Sequence, residues 1–494
     1  MLLNTDEFEN ARQMRDPRFD GRFFVGVLTT GIYCRPICPV RVPKKENVQL
    51  YKSAAAAAEA GFRPCLRCRP ESSPGTPAWG GTSWKVSRAL QLIDQGFLDD
   101  HSVGELAEQL AVGPRQLSRL FQEHLGASPV AVAQTRRLHF AKKLIDETRL
   151  NFSEICFAAG FGSVRRFNSL FSKTYSRSPR QLREARSVNR NQLNESGAIE
   201  LSLSYRPPFD CEAMLGFLAY RSIPGVEAVT ERSYARTFRL EGLAGHFQAF
   251  FEPRSHNIRV RVSYGETRHL DRIIERIRAL FDVRADSAQI DEFLVQDSQL
   301  APMVRRFPGL RVPGCWSGYE VAVRAILGQQ VTVKAASTLV ARVAERYGEA
   351  YECDVEGLSY TFPEPARLVE ADLDGMGIVG ARIAAIRAVA EQLERGELDI
   401  GGGMDTETFV PAICKIKGVG EWTAQYIAMR ALSDPNAFPH SDLILRRAVA
   451  EPGDTLTPSA LRQRAESWQP WRAYCAILLW KNYAFEQLNK LKEH

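Results

Sequence analysis

Residues 33–38 read YCRPIC and residues 63–68 read RPCLRC. Cys34 and Cys38 therefore stand as C-x3-C and Cys65 and Cys68 as C-x2-C, with 26 residues between the pairs. Two thiol pairs at this spacing can converge on one tetrahedral ion with bonds of about 2.3 Å. Two disulfides or four unrelated thiols are the alternatives on spacing alone. Asp6, Glu7 and Glu9 interrupt the start of the chain, which does not read as a signal peptide. A reducing compartment is expected, and disulfides are disfavoured there. The expected ligands are thus Cys34, Cys38, Cys65 and Cys68 around one zinc ion. A zinc dication with four thiolates carries about −2, and a zinc-bound thiolate can stay nucleophilic. Spacing leaves open whether the site is a staple or a reactive centre.

The surrounding stretch, FFVGVLTTGIYCRPICPVRVPKKENVQLYKSAAAAAEAGFRPCLRCRP, closely resembles the N-terminal domain of the Ada family of DNA-alkylation response proteins, over about residues 6–70. The resemblance implies that Cys34, the first cysteine of the set, irreversibly takes a methyl group from a DNA methylphosphotriester. Cys38, Cys65 and Cys68 would be the other zinc ligands.

With 494 residues, 45% hydrophobic and 25% charged, the composition is that of a globular chain. The length predicts three or four domains. No apolar run reaches the ~18 residues of a membrane helix, so no membrane partner is expected. A cytoplasmic location is expected, bacterial and nucleoid-associated on DNA. Cys156, Cys211, Cys315, Cys353, Cys414 and Cys475 are scattered and read as ordinary core or surface thiols. The net charge of +6 is unevenly spread: residues 1–190 hold 29 Lys and Arg against 18 Asp and Glu, and the remainder carries −5. A basic first portion suits phosphate-backbone contacts, although a solvated surface would look alike.

Residues 71–82, ESSPGTPAWGGT, read as a linker. Trp84, Val86, Leu90, Leu92 and Ile93 then mark an amphipathic helix stopped near Gly96. In SVGELAEQLAVGPRQLSRLFQEHL (102–125), Ser102 can cap with Glu105 as its capping-box partner, Gly113 breaks the helix, and Pro114 suits the first turn of the next. Leu117, Leu120 and Phe121 bury, while Arg115, Gln116 and Arg119 face outward, as in a helix-turn-helix with a polar recognition helix. A bridging helix near 136–146 leads to a second unit, SEICFAAGFGSVRRFNSLFSKTY (153–175), with Gly160 and Gly162 in the turn and Arg165, Arg166 and Asn168 on the recognition helix. The ending FNSLFSKTYSRSPRQLR resembles the AraC-type DNA-binding domain, over residues 84–186. The resemblance implies two helix-turn-helix units reading adjacent major-groove segments.

After a polar stretch from Arg186, alternation marks strands at 199–205, 234–240 and 258–264, with a helix at 209–219. This predicts a small α+β region, followed from Asp282 by helices alone. Two glycine-rich turns stand between helices, LDGMGIVGA (373–381) and ICKIKGVGEWTAQY (413–426). Bare N–H groups at a helix start bind phosphate, though a plain corner would read the same. Asp442, after the proline turn in FPHSDLILRR (438–447), would by itself be an N-cap.

RAILGQQVT, GVGEWTAQY and FPHSDLILRR, with Asp442 placed 22 residues after Gly420, together resemble the helix-hairpin-helix DNA glycosylase superfamily. WQPWRAYCAILLW (468–480) narrows the resemblance to its AlkA family, the 3-methyladenine DNA glycosylases II, over about residues 199–487. It implies that Asp442 is the catalytic aspartate, that Gly418 and Gly420 grip the DNA backbone, and that Trp422, Tyr426 and Trp480 line the base pocket. Bifunctional relatives carry a Schiff-base lysine where this chain has Trp422, so a monofunctional enzyme is expected. The four-cysteine iron–sulfur pattern of some relatives is absent after Trp480. The family's DNA-wedging leucine is replaced by Gln330. The PCHR-type motif of the Ada family's second methyltransferase domain is also missing.

The expected protein is a multidomain α+β chain. It comprises a zinc α/β domain (1–70), a linker (71–82), an all-α AraC-type domain (83–186), a linker (187–198), an α+β subdomain (199–281) and a helix-hairpin-helix glycosylase domain (282–494). It is expected to excise alkylated bases of the 3-methyladenine and 7-methylguanine type, to bind alkylated and promoter DNA, and to work with RNA polymerase. Methylation of Cys34 would lower the charge of the cluster and favour approach to phosphates, switching on promoter binding. The alternative is an activator whose glycosylase-like half is inactive.

Overall fold

The computed structural model describes residues 5–74, 84–185, 198–401, 404–451 and 453–492. Most of the first predicted linker, and all but its last residue of the second, lie outside the described residues. The chain forms two compact units. The first holds residues 1–207, 254–278 and 283–286; the second holds 208–253, 279–282 and 287–494.

The first unit begins with helix α1 (Thr5–Met14) and strands β1 (Phe24–Val27), β2 (Ile32–Cys34) and β3 (Val48–Tyr51). Helix α2 (Ala54–Glu59) follows, capped by Ser53, and then the short strand β4 (Arg63–Pro64). The sheet order is β3-β1-β2-β4, antiparallel except for the β2–β4 pair. Phe8, Phe19, Phe23 and Val25 fill one face; Phe24, Tyr33 and Ala57 fill the other. The predicted α/β zinc domain is thus built on two thin cores.

Helices α3 (Trp84–Asp94), α4 (Phe97–Asp100), α5 (Val103–Gln109) and α6 (Pro114–Leu125) make the first helix-turn-helix. Its capping box is present: the Ser102 N–H donates to Glu105 at 2.7 Å, and the Glu105 N–H to Ser102 Oγ at 3.2 Å. Leu106, Leu117, Phe121 and Leu125 form its core. The bridging helix α7 (Pro129–Glu147) starts a full two turns before the expected point, because Ser128 caps it and Pro129 fits its first turn. Helices α8 (Phe152–Ala158), α9 (Val164–Tyr175) and α10 (Pro179–Glu184) complete the second unit. Its cap is Asn151 with Glu154, two residues upstream of the expected start at Ser153.

Strand β5 (Ile199–Ser204) opens the α+β region, followed by α11 (Cys211–Tyr220) and the strands β6 (Glu227–Val229), β7 (Ser233–Leu240), β8 (Leu243–Glu252) and β9 (Asn257–Tyr264). In the first unit β5 pairs antiparallel with β9, Leu201 opposite Val260; in the second, β6, β7 and β8 form an antiparallel meander. Sequence reading missed β6 and β8, whose burial does not follow a clean alternation. Helix α12 (Leu270–Leu280) follows β9.

The rest of the second unit is helical: α13 (Ser287–Leu294), α14 (Ala301–Arg306), α15 (Gly318–Leu327), α16 (Val333–Tyr347), α17 (Pro365–Val369), α18 (Gly380–Glu394), α19 (Thr406–Ile413), α20 (Glu421–Ala431), α21 (Leu443–Val449), α22 (Pro458–Arg464) and α23 (Arg472–Lys492). Helix α15 is buried on nearly every side, from Tyr319 to Leu327, as suits a central helix that is apolar all round. Its one buried acid, Glu320, pairs with Arg236 of β7 at 2.7 Å, which satisfies both charges. Among the described residues no helix is long and apolar enough to cross a membrane.

Candidate functional site

The hairpin α19–turn–α20 sets up the first site. Ile416 and Val419 anchor the turn in the core while Lys415, Lys417, Gly418 and Gly420 stay exposed. Gly418 has φ +93°, a left-handed conformation that disfavours any side chain. Gly420 caps α20, and a Cβ there would meet open space. The start of α20 is therefore exposed beside two lysines that sequence reading did not single out, as suits a contact with phosphate.

Helix α20 then places Trp422, Tyr426 and Arg430 one turn apart on one face. The Trp422 and Tyr426 rings are stacked, with centroids 5.3 Å apart and planes 6° from parallel. Trp480 on α23 closes on Tyr426 at 6.4 Å and 59°. Asp442 sits between the indoles: Trp422 Nε1 donates to Oδ2 at 2.8 Å and Trp480 Nε1 to Oδ1 at 3.1 Å. The same Oδ1 accepts the Leu445 N–H at 3.0 Å, so Asp442 also caps α21. Capping and site membership are here one arrangement. Two side-chain donors hold the carboxylate, and all three rings and Asp442 are half-buried. Leu443, 46% exposed, adds an apolar surface beside the carboxylate.

Behind the rings lies a cationic layer. Buried Arg430 donates from Nη1 to Tyr426 Oη at 2.7 Å, from Nη2 to the Gly314 carbonyl at 2.7 Å, and from Nε to the Pro313 carbonyl. Burial pushes the Tyr426 phenol up, but Arg430, Arg221 and Arg324 outweigh it and hold the group below its ordinary value. No motif exposed Arg430 as a partner of Tyr426; its spacing of four from Tyr426 was the available signal.

Gln330 lies in the turn between α15 and α16, exposed and at φ +54°, with Val331 exposed beside it. Its neighbour Gln329, which sequence reading passed over, ties this turn to the hairpin: Nε2 donates to the Gly418 carbonyl at 2.9 Å and to Thr423 Oγ1 at 3.1 Å. Two loops distant in sequence are thereby fixed to each other. On the recognition helices, Arg115 and Arg119 of α6 and Arg165 and Arg166 of α9 are all exposed.

The second site is the cysteine cluster. The sulfurs of Cys34, Cys38, Cys65 and Cys68 all lie within 4.8 Å of one another, and none of the four residues is more than 8% exposed. All are free thiols, so the disulfide alternative falls. Hydrogen bonds among the thiols hold Cys38 down to about 7 and Cys65 lower still, and push Cys34 and Cys68 up. Such protons are what a dication displaces. This is a zinc site of four cysteine ligands. Arg35 and Arg69, each following a ligand, border it: the Arg35 N–H donates to Cys68 Sγ at 3.3 Å, and Arg69 pairs with Asp146 and Glu147 of α7 at 3.1 and 3.0 Å.

Residues 7–71 match the metal-binding domain of Ada, 106–185 a helix-turn-helix domain, 200–317 the AlkA N-terminal domain, and 323–473 the HhH-GPD superfamily of base excision DNA repair proteins. A Mycobacterium tuberculosis protein named probable bifunctional transcriptional activator/DNA repair enzyme AlkA is 41% identical over 480 residues, covering 96% of each chain. The chain belongs to this AlkA family of bifunctional transcriptional activator/DNA repair enzymes. A shorter relative, DNA-3-methyladenine glycosylase 2 of Escherichia coli, is 33% identical over 56% of this AlkA-family chain and 96% of its own. The solved 3-methyladenine DNA-glycosylase from Archaeoglobus fulgidus shares the fold, with a TM-score of 0.51 and 23% identity over 58% of this chain and 99% of its own. The AlkA-family chain thus carries a DNA glycosylase domain behind a zinc-binding, helix-turn-helix regulator.

Proposed function

We propose that this protein excises alkylated bases from duplex DNA by hydrolysing the N-glycosidic bond, and that it regulates transcription in response to the same damage. The observation that carries the reading is the Asp442 carboxylate held by two indole N–H groups in a half-open aromatic site. A base in a duplex is out of reach, so the nucleotide must be flipped out, at a cost of a few kcal/mol. Bases of the 3-methyladenine and 7-methylguanine type are cationic, leave easily, and stack on electron-rich rings such as Trp422, Tyr426 and Trp480. As the base departs, positive charge builds on the sugar, and the fixed Asp442 carboxylate stabilises it. Gly418 and Gly420 hold the DNA backbone, and Gln330, with Val331 beside it, enters the gap. Position 422 holds tryptophan instead of lysine, so no Schiff base forms and the enzyme is monofunctional.

In the regulator half, Cys34, Cys38, Cys65 and Cys68 hold the zinc, which keeps their sulfurs as thiolates. A neutral phosphotriester approaches the anionic cluster where an ordinary phosphodiester is repelled. The Cys34 sulfur bonds to the methyl carbon, the methyl–oxygen bond breaks, and the phosphate leaves as a diester anion. The cluster then carries one negative charge fewer, which tightens phosphate contacts made through Arg115, Arg119, Arg165 and Arg166. The promoter-bound form acts on RNA polymerase. Two assays on the full chain test this: release of free base from methylated duplex DNA, and uptake of labelled methyl from methylphosphotriester DNA by wild type and Cys34→Ser. Absence of base release would overturn the repair reading; equal uptake by Cys34→Ser would overturn the acceptor reading.

A further inference from the structure

Residues 199–207 and 254–278 fall in or beside the match to the AlkA N-terminal domain, yet they lie in the same compact unit as the zinc and helix-turn-helix domains. Two connections run from β5 and its end to the arginines that border the cysteine cluster. Arg206, fully buried, donates from Nε to the Asp20 carbonyl at 2.8 Å and from Nη1 to the Arg284 carbonyl at 2.7 Å. The Asp20 carboxylate, itself buried, accepts Arg35 Nε at 2.9 Å and also pairs with Arg35 Nη2. The Arg35 guanidinium in turn donates from Nη1 to the Cys68 carbonyl at 3.1 Å, while its backbone N–H donates to Cys68 Sγ. On the other flank the Ser202 N–H donates to Glu147 at 3.0 Å, Lys143 donates to the Ser202 carbonyl, and Glu147 pairs with Arg69. A cavity of about 350 Å³ between the two connections is lined by Arg35, Cys68, Arg69, Ser202 and Tyr205.

Burying charged groups to join two segments costs desolvation that an apolar seam would avoid. Here both charged connections end on residues adjoining metal ligands. A guanidinium fixed beside a cluster of about −2 offsets its charge. We propose that Arg206, in the repair half of the chain, is a positioning residue for the regulator's zinc centre: through Asp20 it holds Arg35 against the cluster, so that zinc retention and methyl acceptance depend on a residue outside the zinc domain. The part concerning methyl acceptance rests on the reading of Cys34 given above.

The test uses the full chain with Arg206→Met and the milder Arg206→Lys, which keeps the charge but not the two-carbonyl reach. Zinc transfer to a colorimetric chelator is timed, and labelled methyl uptake is measured on methylphosphotriester duplex. Arg206→Met is expected to lose zinc about fivefold faster and to take up methyl about tenfold more slowly, with Arg206→Lys between it and wild type and base release unchanged in both. Zinc transfer at the wild-type rate in both variants would overturn the inference. If Cys34→Ser takes up methyl as wild type does, the acceptor reading fails, and zinc transfer alone still decides the role of Arg206. Should Arg206→Met not fold, Arg206→Lys carries the comparison.

Discussion

At the scale of single residues, Asp442 does two jobs with one carboxylate, capping α21 and receiving two indole N–H groups. Removing one donor while keeping its ring separates electrostatics from stacking. Trp480→Phe retains an aromatic wall but loses the bond to Oδ1. Hydrogen bonds to a charged group are worth about 1.5–3 kcal/mol, so single-turnover base release should fall roughly ten- to a hundredfold. A further expectation concerns position 422. Incubation with alkylated DNA and borohydride should trap no covalent complex, because the residue at the lysine position is Trp422; a trapped band on a denaturing gel would contradict the monofunctional reading.

At the scale of elements, the hairpin turn depends on Gly418. An alanine there would adopt φ +93° and bring its Cβ to 3.4 Å from the Ala385 Cβ. Gly418→Ala should destabilise by at least about 1 kcal/mol and weaken binding to undamaged duplex, measured by urea denaturation and fluorescence anisotropy. Strand β2 and helix α7 meet at Tyr33 Oη and His139 Nε2, 2.8 Å apart. Burial pushes His139 down to about 4, with Glu71 raising it and Lys142 lowering it. An unfolded histidine titrates near 6.5, so between about 4 and 6.5 the unfolded chain binds more protons. The stability His139 contributes is complete above about 6.5 and is lost as pH falls through that window. Asp282 and Asp291, raised by burial to about 6 and about 7, oppose it: their contribution is present at low pH and lost as pH rises. The comparison of wild type with His139→Gln isolates the histidine. The stability gap should shrink by about 2 kcal/mol between pH 7 and pH 4.5.

These elements also show how far the chain can be read unaided. The capping box at Ser102 and Glu105 and the cysteine spacing were legible because their signals are local and chemically specific, whereas Asp442 reads alone as an N-cap and stood out only through the resemblance of the segments around it. Strand β8 was not, because LAGHFQAFFE buries most of one half and blurs the alternation. Gln329 and Arg206 were not legible, because each acts on a partner 89 or 186 residues away, and a single sequence carries no record of such pairings.

At the scale of the whole molecule, the zinc domain is small, with its apolar residues divided between separate clusters. Metal binding supplies much of the folding free energy in such domains, on the order of 10 kcal/mol. Stripping zinc with a chelator should therefore expose the amides of residues 5–71 to hydrogen exchange while base release by the helical unit persists. The central claim is that this regulator carries a working repair enzyme. It is tested most directly by measuring free base released from methylated duplex DNA by the full chain and by Asp442→Asn, which keeps an oxygen to cap α21 but loses the negative charge. Steady release is expected of wild type, with a loss of at least about a hundredfold in the variant. Release by neither protein, or equally by both, would contradict the claim.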